Sequence, residues 1–79
     1  MAYKLLVTCD NASLRLQWAE KPDGTRFHRN EPMSFVITSD RKDCISSDDF
    51  LKQTGLKRVI GVGSSDIHNF NGWKIEVIG

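Results

Sequence analysis

Apolar and polar residues alternate along much of this chain, and the breaks in that alternation locate its turns. "YKLLVT" is a β-rich apolar run followed by the turn formers "DNAS", which makes residues 3–8 a first strand. Leu14, Leu16 and Trp18 then alternate with Arg15 and Gln17. A helix is one reading of that stretch, but alternation is the period of a strand with one buried face and favours a second strand. "KPDG" at 21–24 carries turn chemistry: Pro22 presets φ, Asp23 bonds its local backbone and Gly24 tolerates positive φ. The chain is expected to reverse there into "TRFHR". After a break at "NEP", the β-branched and aromatic "MSFVITS" forms a third strand, closed by the polar "DRKD". The first half therefore predicts an antiparallel meander.

One helix is strongly signalled, in "ISSDDFLKQTGL" at 45–56. With Ser46 as N-cap, Asp49 completes a capping box, and Ile45 and Phe50 fall where a hydrophobic staple needs them. Asp48 and Asp49 face the positive end of the helix dipole, and Lys52 lies toward the negative end. Gly55 suits the left-handed position that ends a helix, with Leu56 placed to pack back.

"KRVIGV" then reads as a strand or a short second helix. "GWKIEVI" reads as a last strand, alternating Trp73, Ile75 and Val77 with Lys74 and Glu76. The order β-β-β-α-β-β predicts a single α+β domain over 1–79, a small antiparallel sheet with one short helix packed on it. Its expected core is Leu5, Val7, Leu14, Leu16, Trp18, Phe35, Ile37, Phe50, Leu51, Ile60, Trp73 and Ile75.

Composition narrows the function. Eleven Lys and Arg against ten Asp and Glu give a net charge of +1, with the signs interleaved. That is not the basic footprint of a protein whose affinity rests on many phosphates. No apolar run reaches the about 18 residues that span a bilayer, and "MAYKLLVTCDN" lacks a long apolar region, so a cytoplasmic protein is expected. Cys9 and Cys44 are too few and too far apart for a disulfide scaffold or a four-ligand zinc site, and read as free thiols in or near the core. "NAS" at 11–13 matches a glycosylation acceptor, which matters only in a secreted chain.

Chemistry-bearing motifs are sparse. "GVGSSD" has two glycines at dinucleotide-loop spacing, but Asp66 stands in the third place, where a carboxylate repels phosphate, and "HNFNG" ends any helix that the loop would open. His28, His68, Cys9 and Cys44, with Asp40, Asp43 and Asp66 as orienting groups, form no local catalytic signature. Two histidines 40 positions apart without clustered carboxylates specify no metal site. No enzymatic activity, cofactor or metal is expected. "GVGSSDIHNFNGWKI" is instead expected to cross the surface through Ser64 to Phe70 and re-enter the sheet at Asn71-Gly72.

Two surfaces remain. "KPDGTRFHRN" and "SSDIHNFNG" each set an aromatic and a His among turn residues, which makes Arg26, Phe27, His28, Arg29, Asp66, His68 and Phe70 candidates for contact with a protein partner. Equally, both Phe side chains fold back onto the sheet edge. Arg41, Lys42, Lys57, Arg58 and Lys74 are candidates for nucleic-acid contact, against a solvated face of alternating strands, which the neighbouring aspartates favour.

From "SFVITSDRKD" through "SSDDFLKQTGLKRVIGVGSSDIHNFNGWKIEVI", the succession of strand, short helix, "GL", variable stretch and "GWKI" resembles the small DNA-binding repeat of phage homing endonucleases. The resemblance covers residues 34–78 and implies a helix and following segment lying against DNA. The family's basic loop corresponds here to Gly63, Ser64, Ser65 and Asp66, which carry no positive charge. As a small, near-neutral chain without a catalytic signature, the protein also resembles accessory and inhibitor proteins of phages and mobile elements, including those that disable host defence nucleases. That resemblance implies a non-enzymatic protein that docks on a macromolecule, a nuclease or nucleoprotein complex among them, with nucleic-acid binding as the alternative.

Overall fold

The computed structural model describes residues 2–9, 11–59, 66–69 and 72–79, without the side chains of Leu14, Gln17, Trp18, Arg58 and Val59. Its frame is a three-stranded antiparallel sheet with β1 (Tyr3–Thr8) in the middle, β3 (Ser34–Ser39) on one side and β7 (Lys74–Val77) on the other. Leu5 lies opposite Ile37 and Val77, and Val7 opposite Phe35 and Ile75. Because side chains alternate, these residues share one face, which is the core face. Lys4, Leu6 and Thr8, with Val36, Thr38, Glu76 and Lys74 opposite them, share the other.

The fold class is α+β, with an antiparallel sheet and a short helix packed on it, as the pattern predicts. The second predicted strand is different: residues 12–18 form a helix, α1 (Ala12–Trp18). Asn11 explains why. Its carbonyl accepts from Arg15 N at 3.0 Å and its side chain from Ser13 N at 2.9 Å, so the residue read as a turn former is a helix cap. The alternation misleads because Arg15, read as outward, is buried. Its guanidinium donates to the carbonyls of Arg29 at 2.7 Å and His28 at 3.4 Å, tying α1 to the loop beyond.

The turn at 21–24 forms as expected, with Gly24 at φ 90° and Asp23 Oδ1 accepting from Thr25 N at 2.9 Å. The returning strand is reduced to a single bridge, Glu20 to Arg26. β2 (Ala19–Glu20) finds its partner in β5 (Arg58–Val59) instead. A third ladder joins β4 (Ile45–Ser46) to β6 (Asp66–Ile67).

Helix α2 (Ser47–Thr54) follows its sequence signals closely. Ser46 accepts from Asp49 N at 3.3 Å, and Gly55 ends the helix at φ 75° with its N–H bonded to Leu51 O at 2.9 Å. Ile45, Phe50 and Leu56 are buried. Phe50 meets Phe35 edge-on at 5.7 Å and Trp73 at 5.0 Å between centroids, which seats the helix on the inner face of the sheet.

Of the expected core, Leu5, Val7, Ile37, Phe50 and Trp73 are buried, and Phe35, Leu51 and Ile75 pack against them half-buried. Leu16 is half-buried. Ile60 lies outside the described residues. Cys9, Ala19, Phe27, Met33, Ile45, Leu56 and Ile67 join them in the core. Cys9 and Cys44 are both buried. Among the described residues no helix is long and apolar enough to cross a membrane.

Candidate functional site

The β4–β6 ladder gathers the chemistry. Ile45 lies opposite Ile67 and Ser46 opposite Asp66. Extending that antiparallel register by one residue sets Cys44 opposite His68. Ile45 and Ile67 turn into the core, both fully buried. By alternation Cys44, Ser46, Asp66 and His68 occupy the other face. Ligand atoms of Cys44, Asp66 and His68 all lie within 4.8 Å of one another, with Cys44 4% exposed and the other two half-buried.

The surrounding turn holds this group in place. Ser39 Oγ donates to Cys44 O at 3.0 Å and accepts from Arg41 N at 3.2 Å, folding residues 39–44 back toward β6. Arg41 Nη1 then donates to Asp66 Oδ2 in an ion pair. That bond holds the Asp66 carboxyl below its ordinary value and raises Arg41 above its own, while nearby His68 also favours the ionised Asp66. Burial pushes the Cys44 thiol up, and nearby Asp43 and Asp66 act in the same direction against Arg41. A thiol kept neutral and almost wholly covered is a poor nucleophile.

Strand pairing brings position 44 to position 68, a grouping that spacing along the chain does not show. The readable signal was "DIH". In a strand, Asp66 and His68 point to one side and the apolar Ile67 to the other.

The loop expected to cross the surface from Ser64 to Phe70 is corrected in part: Ile67 is fully buried and ladder-paired, so the segment is anchored in the core. Gly61–Ser65, Phe70 and Asn71 lie outside the described residues, and with them the dinucleotide-like motif except Asp66 and the Asn of the Asn-Gly turn, whose Gly72 stands at φ 90°. Asn69 Oδ1 accepts from Ile75 N at 2.7 Å, joining the loop to β7.

Phe27, a candidate partner contact, is 7% exposed, so the inward reading holds for it. Lys21 Nζ covers its ring at 5.5 Å from the centroid and pairs with Glu31 at 2.9 Å. Arg26, His28 and Arg29 are exposed, with Arg26 Nη1 donating to Leu16 O at 3.0 Å.

Among the described basic candidates, Lys74 lies apart from Arg41 and Lys42. Arg41 is committed to Asp66. Lys74 lies opposite Thr8, at the Ser34 end of β3, whereas Arg41 and Lys42 follow Ser39 at the other end. Five strand positions separate the two ends, roughly 17 Å. Lys42 and Lys57 are exposed, and the side chain of Arg58 lies outside those described.

An exposed apolar group was missed because its residues belong to strands read as half-buried. Val36 is 55% exposed and Ile78 47%. Ile78 N donates to Lys4 O at 2.8 Å, which continues the β7–β1 pairing beyond Val77. Val36 flanks half-buried Leu6 on the outer face, with Lys4, Lys74 and Glu76 exposed around them.

Set against protein-family models, curated proteins and solved structures, the chain matches none of them.

Proposed function

We propose that this chain is a non-enzymatic binding protein that docks on a protein partner through the outer face of its three-stranded sheet. The observation that carries this reading is the exposure of Val36 beside Leu6, with Ile78 on the adjoining edge. A β-branched side chain over half exposed on a sheet face is an apolar anchor that a partner surface would remove from water. Lys4 and Lys74 outnumber Glu76 around it, so the complementary surface is an apolar patch rimmed by carboxylates. In the manner of the accessory and inhibitor proteins that the chain resembles, a nuclease or nucleoprotein complex is the class of partner to test first.

The test is photo-crosslinking from position 36 in a lysate of the source cells, followed by titration of the purified captured protein. Saturable binding that Val36→Glu abolishes, while His28→Ala and Arg29→Ala retain it, supports the reading. Loss in the loop variants with Val36→Glu unaffected would move the interface to the loop. A concentration-dependent dimer broken by Val36→Glu would make the partner a second copy. Duplex DNA binding that falls steeply with salt and is lost on charge reversal of Lys57 and Arg58 would replace it with the nucleic-acid reading.

A further inference from the structure

We propose that Cys44, Asp66 and His68 form a three-ligand site for a divalent cation of the zinc class, with the fourth tetrahedral position left to water or an outside ligand. Cys44 and His68 stand opposite each other by extension of the Ser46–Asp66 and Ile45–Ile67 register, and Asp66 is two residues before His68 on the same face. Three side chains from two paired segments therefore converge without any loop having to rearrange.

Their chemistry agrees with that class of metal. One sulfur, one nitrogen and one oxygen make a mixed set that suits a borderline cation and is poor for calcium or magnesium, which want oxygens alone. Zinc bound to such a set holds its ligand atoms about 3.4 Å apart. The present separations of up to 4.8 Å close to that value by side-chain rotation of the two half-buried members. A fourth ligand from the chain is not required, because zinc sites with three protein ligands keep one position for solvent.

The neighbours supply the outer shell. Arg41 takes Oδ2 of Asp66, and a carboxylate that ligates through one oxygen is commonly fixed through the other. Asp43 lies beside the Cys44 thiol and offsets the charge of Arg41. Formation of the metal–sulfur bond releases the thiol proton to solvent. The bound ion then carries one thiolate, one carboxylate and one neutral imidazole.

Cobalt(II) tests this directly, as a zinc substitute that reports its ligands by colour. The reduced chain, freed of metal with chelator, is titrated with Co²⁺ and then with Zn²⁺. One equivalent should produce a thiolate-to-cobalt charge-transfer band and the intense visible bands of tetrahedral cobalt, both displaced by zinc. Cys44→Ser should lose the charge-transfer band. His68→Asn should weaken binding by more than the about 10–100-fold that removal of an outer-shell partner costs. Cys9→Ser and His28→Asn should leave both unchanged.

Because Cys44 is buried, folding of each variant is checked by circular dichroism, and His68→Asn provides a second, less buried substitution. Zinc should raise the melting temperature of the parent chain and of Cys9→Ser, and leave that of folded His68→Asn where it was. Absence of the charge-transfer band in the parent, or its persistence in Cys44→Ser, would overturn the site.

Discussion

Gln53 on helix α2 pairs its side-chain amide with the backbone of Thr38 on strand β3, accepting from the N–H at 2.8 Å and donating to the carbonyl at 2.7 Å. Thr38 lies on an edge strand, and its opposite residue on β1 is Lys4. Both of its backbone groups that point away from β1 are met by one planar amide, which imitates the next strand for the length of one residue. An edge strand with bare N–H and C=O groups invites pairing with another chain, and this contact covers part of it. Gln53→Ala is expected to lower stability by about 1 kcal/mol, the usual net value for a small number of exposed hydrogen bonds. It should also increase self-association. Urea unfolding measures the first effect and light scattering the second. A fully monomeric variant would show that the amide does not protect the edge.

Arg15 offers a second test because its role is structural although its charge suggests otherwise. The side chain is buried and donates to two loop carbonyls, those of His28 and Arg29. Arg15→Met keeps the length of the aliphatic stem and removes both donors, leaving two carbonyls short of a partner. Each unmet polar group costs about 1–3 kcal/mol when buried, and these are part-buried, so a loss of about 2 kcal/mol is expected. Denaturant midpoints measure it. Arg15→Lys should recover only part, since an ammonium lacks the planar fork that reaches both carbonyls.

These two residues mark what was legible in the sequence. Helix α2 was readable to its caps because Ser46, Asp49 and Gly55 act locally, within one turn of the backbone they bond. Strands β1 and β3 were readable from composition, since a β-rich apolar run is also a local property. Helix α1 was not, because its deciding contact is long-range: Arg15 reaches a loop 13 and 14 residues onward, and nothing in "SLRLQW" records that. The same holds for the site. Asp66 and His68 carried the period of a strand, but Cys44 joins them only through the pairing of β4 with β6. Strand pairing is a tertiary fact, and a single chain read in order does not contain it.

The aromatic centre predicts the largest loss. Phe50 is fully buried and contacts Phe35 and Trp73 edge-on. Truncating a buried Phe to Ala costs about 3–5 kcal/mol. A domain of this size holds only about 3–5 kcal/mol in total. Phe50→Ala should therefore be largely unfolded at room temperature, whereas Phe50→Leu, which refills most of the volume, should fold with a lowered melting temperature. Near-ultraviolet circular dichroism, which reports the packing of Trp73, distinguishes the two. A folded Phe50→Ala with an intact spectrum would contradict the placement of this ring at the centre of the core.

Glu31 sets an acid limit on the loop that covers Phe27. Its Oε1 lies 2.9 Å from Lys21 Nζ and its Oε2 accepts from His28 N at 3.0 Å. The Lys21 contact, followed by the His28 bond, holds its carboxyl below the ordinary 4.5. A carboxyl whose folded value is depressed contributes stability that is fully present above its unfolded value and lost as the pH falls through the folded one. At pH 7, then, Glu31→Gln should melt below the parent chain. The gap should stay constant down to about pH 5 and close at more acidic values, where the parent's own carboxylate is protonated. Asp23, held down by its bonds to Thr25, titrates in both proteins and cancels in the difference. Lys21 and Glu31 are partly exposed, so added salt should shrink the gap at neutral pH. Melting temperatures of both proteins from pH 7 to pH 3 check the sign. A gap unchanged at pH 3 would show that the shape of the side chain matters here and its charge does not.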